Sequence, residues 1–461
     1  MRNLLTGAKN YYILDSAIEN KDDFMKKEKR FDMFKKTQKP AWYMVALEHI
    51  LTFFWLTYEK LFKGLKIDRS ETKNIRGPVF CVSNHASMID FPIAVAALKP
   101  LKVTWVAAIE EFDGKEWLFR KMGMIPKRKF THGTVTAKHI MRAVMKEKIP
   151  VVIYPEARFV VGGIGECIDG GMGKMVKIMG VPVIRLSIEN NFLRSPQWCK
   201  HPYRDIPVTA KTSVLITAEE TKTLTPEQIQ ERLEKSFVYD QYAYQYEHKL
   251  WMKSKNRALN IHKILYKCPH CGAEYQTDSD GTHIWCNACG HKWEMDGYSR
   301  LHATEGETYF EHVPDWYLWE RAEVRKEIEA GTYCFEDAVR VTHHINSREM
   351  RYEGTVRCRH DKDGFTFSGK LDNGETFELN KSVASMYSLH IDYNFRKQGN
   401  AFDIATDNES YFMYPVVHTN PLTKLQFAVE ELYNYYVREP EEEAKKQRLR
   451  LAEKQSEEAA K

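Results

Sequence analysis

The chain has 461 residues, with 68 Lys and Arg against 63 Asp and Glu. An excess of five positive charges does not announce a nucleic-acid protein, and 12% aromatic residues exclude wholesale disorder. The length predicts two or three domains with sizeable cores, and nine cysteines, four of them in one tight motif, predict a reducing compartment with one metal site rather than a disulfide framework.

Residues 1–75 are read as a charged N-terminus followed by an amphipathic helix. The first residues lack the apolar core of a signal peptide. In the apolar stretch 41–62 the charge-free run 50–58 falls far short of the ~20 residues a spanning helix needs. On a helical wheel Glu48, His49, Thr52, Glu59, Lys60 and Lys63 share a polar arc, while Leu47, Ile50, Leu51, Phe53, Phe54, Tyr58, Leu61 and Phe62 crowd the remainder. Such a helix suits a membrane interface, and equally a packed face of the next domain.

Residues 76–236 alternate between strand and helix patterns: strands at 79–83, 102–109, 151–154, 181–188 and 213–217, helices at 91–98, 115–122 and 137–146. The alternation predicts an α/β domain whose active residues lie at strand ends. Directly after its first strand comes Asn84-His85-Ala86-Ser87-Met88-Ile89-Asp90. Five helical steps leave two side chains roughly 140° apart. Contact between His85 and Asp90 therefore needs the histidine in the loop and the aspartate about one turn inside the helix. A carboxylate on one imidazole nitrogen leaves the other free as a base.

Three further blocks follow in order: Gly123-Met124-Ile125-Pro126-Lys127-Arg128-Lys129, then Pro155-Glu156-Ala157-Arg158, then Val181-Pro182-Val183-Ile184-Arg185. With His-x4-Asp, these blocks over roughly 75–220 resemble the glycerophospholipid acyltransferase family, which includes the 1-acylglycerol-3-phosphate acyltransferases. The third block is one residue shorter than the family's Pro-Glu-Gly-Thr-Arg, so Glu156 aligns directly and Arg158 only with the turn redrawn. The family arginine of the second block falls at Lys129, with Arg128 one step earlier. The resemblance implies acyl transfer from a coenzyme A or carrier-protein thioester to a glycerol-phosphate or lysophospholipid-type hydroxyl. It assigns Glu156 and Arg158 to the acceptor site.

A hydroxyl is a weak nucleophile, and a base taking its proton contributes about two to four orders of magnitude. His85 is the candidate base and Asp90 its orienting partner. No Gly-x-Ser-x-Gly elbow accompanies them, and Cys81 sits on a strand that reads as core, so direct attack on the thioester is expected. Lys127, Arg128, Lys129 and Arg158 are candidate cations for an acceptor phosphate, at least one of the first three being read as solvated loop. Two glycine clusters, Gly162, Gly163, Gly165 and Gly170, Gly171, Gly173, look like a flexible loop beside the site.

Residues 237–266 read as a helical linker, and 267–292 as a zinc ribbon. Cys268 and Cys271 form one Cys-x2-Cys pair and Cys286 and Cys289 another, a pattern suited to one structural Zn²⁺. Residues 293–336 are a helical connector. Residues 337–438 show seven short strands and a final helix, resembling a pleckstrin-homology or GRAM-like barrel, with a sandwich of other topology as the alternative. Residues 439–461 form a charged tail. The expected partners are a membrane surface, an acyl thioester and a phospholipid or glycerol-phosphate acceptor, not nucleic acid, with the chain lying peripherally on the inner, cytoplasmic face. The rival reading is a lipid- or membrane-binding scaffold built on an altered acyltransferase domain and stabilised by the ribbon.

Overall fold

The computed structural model describes residues 31–36, 38–130, 134–406, 409–444 and 446–447. The expectations for residues 1–30 and for most of the charged tail lie outside them.

The first sheet has seven strands: β1 (Lys66–Asp68), β2 (Phe80–Ser83), β3 (Thr104–Ala108), β4 (Ile125–Lys127), β5 (Val151–Ile153), β6 (Val183–Glu189) and β7 (Thr209–Ile216). Their order is β1-β7-β6-β2-β5-β3-β4, parallel throughout except between β6 and β7. A mostly parallel sheet needs both faces covered. Accordingly β2 is buried along its whole length and alternates its side chains between two cores. Val79 and Cys81 face helix α2 (Asp90–Ala97) and the N-terminal helix α1 (Trp42–Phe62); Phe80 and Val82 face α3 (Thr134–Met145) and α4 (Met172–Met179). No helix among the described residues is long and apolar enough to cross a membrane.

The predicted linker at 237–266 holds a short α-helix, Gln241–Glu247, and one 3-10 turn, Ile261–Lys263, and is otherwise irregular. Its side chains, among them Tyr242, Ile261 and Tyr266, are buried in the neighbouring core rather than spanning solvent. The cysteine motif lies in a four-stranded antiparallel sheet, β8 (Thr277–Ser279), β9 (His283–Cys286), β10 (Lys292–Met295) and β11 (Leu301–Ala303). This sheet continues past residue 292 into the segment read as helical connector, whose helix α5 occupies Val313–Glu329.

The third sheet contains β12 (Phe335–Ile345), β13 (Glu349–Asp361), β14 (Gly364–Lys370), β15 (Thr376–Lys381), β16 (His390–Asp392), β17 (Ala401–Ala405) and β18 (Ser410–Pro415). All its pairings are antiparallel, in the order β15-β14-β13-β12-β18-β17-β16. Helix α6 (Leu422–Tyr433) packs against it, and one continuous core joins Phe192 and Trp198 of the first unit, the ribbon's Trp293, Trp316 of α5 and Phe427 of α6. The three parts are thus packed together, not strung on linkers.

Candidate active site

Strands β5, β2 and β6 lie side by side and parallel, with Val82 opposite Ile153 and Ser83 opposite Leu186. Their carboxyl ends therefore emerge together, where open α/β sheets bind ligands. His85 follows β2, Glu156 follows β5 and Asn191 follows β6. Asn84 fixes the end of β2 by exchanging two hydrogen bonds with the backbone of Ile188, at 2.8 and 2.9 Å.

His85 Nδ1 lies 3.0 Å from Asp90 Oδ2. Asp90 is the first residue of α2, not a residue one turn inside it. The turn Ser87–Ile89 supplies the missing reach: Asp90 N–H bonds Ser87 O at 3.1 Å, and the carboxylate folds back to accept Ala86 N–H (2.8 Å) and Ser87 N–H (3.0 Å) on Oδ2. Asn191 donates to Oδ1 at 2.6 Å. An ionised carboxylate is acceptor only, so Nδ1 carries the proton and Nε2 is the basic nitrogen. The ring sits between Tyr154, stacked at 3.9 Å, and Phe159 at 4.2 Å, and keeps 23% of its side chain exposed. The Cys81 thiol is sealed in the core and pushed up to about 12 by burial, which removes it as a nucleophile.

Glu156 does not pair with Arg158. Its Oε2 accepts the His85 N–H at 3.1 Å; its Oε1 accepts the Tyr239 hydroxyl at 2.7 Å and the Glu166 N–H at 3.3 Å. It holds the loop that carries the imidazole. Burial pushes its carboxyl up to about 7.

The candidate phosphate cations separate. Lys127 ends β4 with its ammonium below the ordinary lysine range, burial outweighing the attraction of Asp169. Arg128 donates to Ser347 (2.7 Å) and Ser410 (3.5 Å). Lys129 reaches Asp403 at 3.2 Å and His390 at 3.1 Å. Arg158 donates to Glu166, Ser388, Leu389 O (3.0 Å) and Glu430 (2.6 Å). Arg128, Lys129 and Arg158 thus contact the C-terminal sheet and helix, and Arg128 and Arg158 are buried.

The glycines read as a flexible loop serve close packing. A Cβ on Gly162 would meet the Tyr317 ring at 2.6 Å, and one on Gly163 the Phe192 ring at 2.6 Å. Gly165 is pressed onto Phe237 O and Gly173 onto Pro226 O; only Gly170 and Gly171 are exposed. Sequence reading missed Asn191, Tyr239 and the two rings around His85. Asn190-Asn191 at the end of an apolar strand is the one local signal that pointed there.

The four cysteine sulfurs lie within 4.8 Å of one another, with Cys268–Cys289 and Cys271–Cys286 each at 3.8 Å. A tetrahedron with metal–sulfur bonds of about 2.3 Å has edges of about 3.8 Å, so the four ligand atoms can hold one metal ion. Each Cys-x2-Cys turn closes on a left-handed glycine, Gly272 (φ +74°) and Gly290 (φ +78°).

A carboxylate-steered imidazole at the mouth of a parallel sheet has the arrangement that a general base requires. Residues 64–189 match the family model described as Acyltransferase, and they contain all four ordered blocks. Residues 64–189 thus form an acyltransferase domain by this likeness. It is also similar to the crystal structure of the 1-acyl-sn-glycerophosphate (LPA) acyltransferase PlsC from Thermotoga maritima, at 17% identity and a TM-score of 0.34, over 42% of this chain and 77% of that one. No curated protein sequence matches the chain.

Proposed function

We propose that the protein transfers a fatty acyl group from a coenzyme A or carrier-protein thioester to the hydroxyl of a glycerol-phosphate or lysophospholipid-type acceptor. The observation that carries this reading is the 3.0 Å His85–Asp90 contact at the strand ends of the acyltransferase domain. His85 Nε2 takes the acceptor's proton as its oxygen bonds to the thioester carbonyl carbon. The C–S bond then breaks, and the imidazolium returns the proton to the leaving thiolate. Asp90 holds the Nδ1–H tautomer and stabilises the transient imidazolium.

The exposed apolar face of α1 carries Leu51, Phe54, Leu61 and Phe62, each more than 60% exposed, and this supports a peripheral seat on the inner leaflet. The four cysteines are read as a structural zinc site, and the C-terminal sheet, with its first strand between the second and the seventh, as a pleckstrin-homology-like unit. The scaffold reading retains one supporting observation: Arg128, Lys129 and Arg158 are engaged by the C-terminal unit.

Purified protein with liposomes, a labelled acyl thioester and a panel of acceptors tests the enzyme reading. His85→Ala should lower acceptor-dependent product by at least about two orders of magnitude while the variant stays folded. Equal product in the variant would sink the assignment. Metal analysis should find one zinc per chain; substantially less would remove the ribbon site.

A further inference from the structure

We propose that the cleft between α1, β1 and the end of α2 is a binding site for the phosphate headgroup of an anionic glycerophospholipid, separate from the acyl-transfer site. The proposal rests on the membrane-facing reading of α1 and names the lipid chemistry that this face selects.

The cleft encloses about 360 Å³, within the range of small-ligand sites. Phe53, Leu56 and Lys60 line it from α1 and Ile67 from β1, with Arg69 and Lys99 beside them, so apolar side chains and three cations share the cleft. Among the described residues no hydrogen bond or ion pair joins a lining residue to His85 or Asp90. Arg69 is oriented by a 3.4 Å bond to Ala96 O at the end of α2. Among the described residues none of the three cations has a carboxylate partner, because the neighbouring acids are engaged elsewhere. Glu59 is ion-paired to Arg194 at 2.6 Å, Glu71 to Lys211 at 3.4 Å, and Asp68 accepts the Ser70 N–H at 2.9 Å.

The positive field extends along the helix. The His49 imidazole is held below its usual range first by burial, then by Lys99 and Lys102. Two ammonium point charges and one guanidinium fork facing an empty concavity are the chemistry of phosphate recognition. The apolar side chains decide between a free anion and a lipid. Phe53 is 58% exposed and continues into the face formed by Phe54, Leu61 and Phe62. A headgroup in the cleft would therefore leave its acyl chains on the surface already read as membrane-facing. Juxtamembrane lysines gain most from anionic leaflets, so the site would favour such membranes over neutral ones.

The test uses the full chain and monomeric dihexanoyl phosphatidate, with dihexanoyl phosphatidylcholine and inorganic phosphate as comparison probes, measured by calorimetry. Wild type should bind the phosphatidate saturably and at least tenfold more tightly than either comparison probe. The double variant Lys60→Gln/Lys99→Gln should weaken that binding by about tenfold or more. The double variant Lys63→Gln/Lys73→Gln, which removes two exposed lysines outside the cleft, should stay within about twofold. Absence of saturable binding, equal affinity for inorganic phosphate, or an equal loss in both double variants would overturn the site. Sedimentation with phosphatidylcholine vesicles, with and without phosphatidate, separates the two claims. Soluble-lipid binding without vesicle binding removes the membrane seat of α1 and leaves the cleft standing; vesicle binding indifferent to phosphatidate removes the cleft and leaves the seat.

Discussion

Asp90 gathers four donors on two oxygens: the His85 imidazole, two backbone N–H groups of its own turn, and the Asn191 amide. Its carboxylate therefore shapes the loop as well as steering the ring. Tyr154 does the opposite. Its ring stacks on His85 at 3.9 Å, but its hydroxyl is buried and has no hydrogen-bond partner among the described residues. An unsatisfied buried hydroxyl costs free energy, so Tyr154→Phe should leave stability unchanged or raise it by up to about 1 kcal/mol, with acyl transfer kept within about twofold. Tyr154→Ala removes the stack and should cost about 3 kcal/mol or more in stability, with a fall in rate. Thermal melts and kcat/KM on both variants check this. A large loss of rate in Tyr154→Phe would instead make the hydroxyl a substrate contact.

At the scale of elements, the turn after β5 supports the turn after β2 through Glu156, and its carboxyl titrates near neutrality. Glu48 of α1, bonded to the Trp105 indole, is likewise pushed up by burial to about 7. An unfolded glutamate titrates near 4.3. Between that value and 7 the native state holds protons that the unfolded chain has released, so stability is greatest at the acid end and falls as pH rises through this window. Each group contributes up to roughly 3 kcal/mol of that fall, and less for Glu48, which is only partly buried. Urea midpoints taken from about pH 5 to pH 8 should decline, and Glu156→Gln should flatten the decline. An unchanged slope would mean that Glu156 is already ionised throughout.

The same elements show what the sequence could disclose. His85 and Asp90 are five residues apart, and the four cysteines lie in two short turns, so their chemistry was local and readable. Apart from Glu166, which Arg158 also holds, the partners of Arg128, Lys129 and Arg158 lie more than 200 residues away, in a C-terminal unit whose docking no local pattern encodes. Glycine-rich spacing reads as flexibility unless the aromatic rings that press on it, here Tyr317 and Phe192, are known.

Over the whole molecule, the acyltransferase domain and the C-terminal unit are locked by a buried ionic chain. Arg158 and Arg321 both hold Glu430, at 2.6 and 2.8 Å, and Arg321 also holds Glu431 at 2.6 Å. Burial alone would raise the Glu430 carboxyl; the two guanidinium groups outweigh it and hold the group at about 2. With the folded value depressed, this contribution is complete above the unfolded glutamate value and is lost as pH falls toward 2, the reverse of the Glu156 case. Removing one member strands the others in low dielectric, which typically costs 3–5 kcal/mol. Arg158→Ala should therefore destabilise the protein by about that amount, because Glu166 and Glu430 lose their shared cation. Arg158→Lys should recover only part of it, since an ammonium cannot reproduce a fork that reaches Glu166, Ser388, Leu389 and Glu430 together. Hydrogen exchange gives the location: protection should fall first along α6 and at β16, where the arginine docks, and last in the ribbon sheet, which none of the arginine's partners belongs to. Stability and exchange both unchanged in Arg158→Ala would show that the contact adds nothing to docking and would free Arg158 for the acceptor role that the family motif implies.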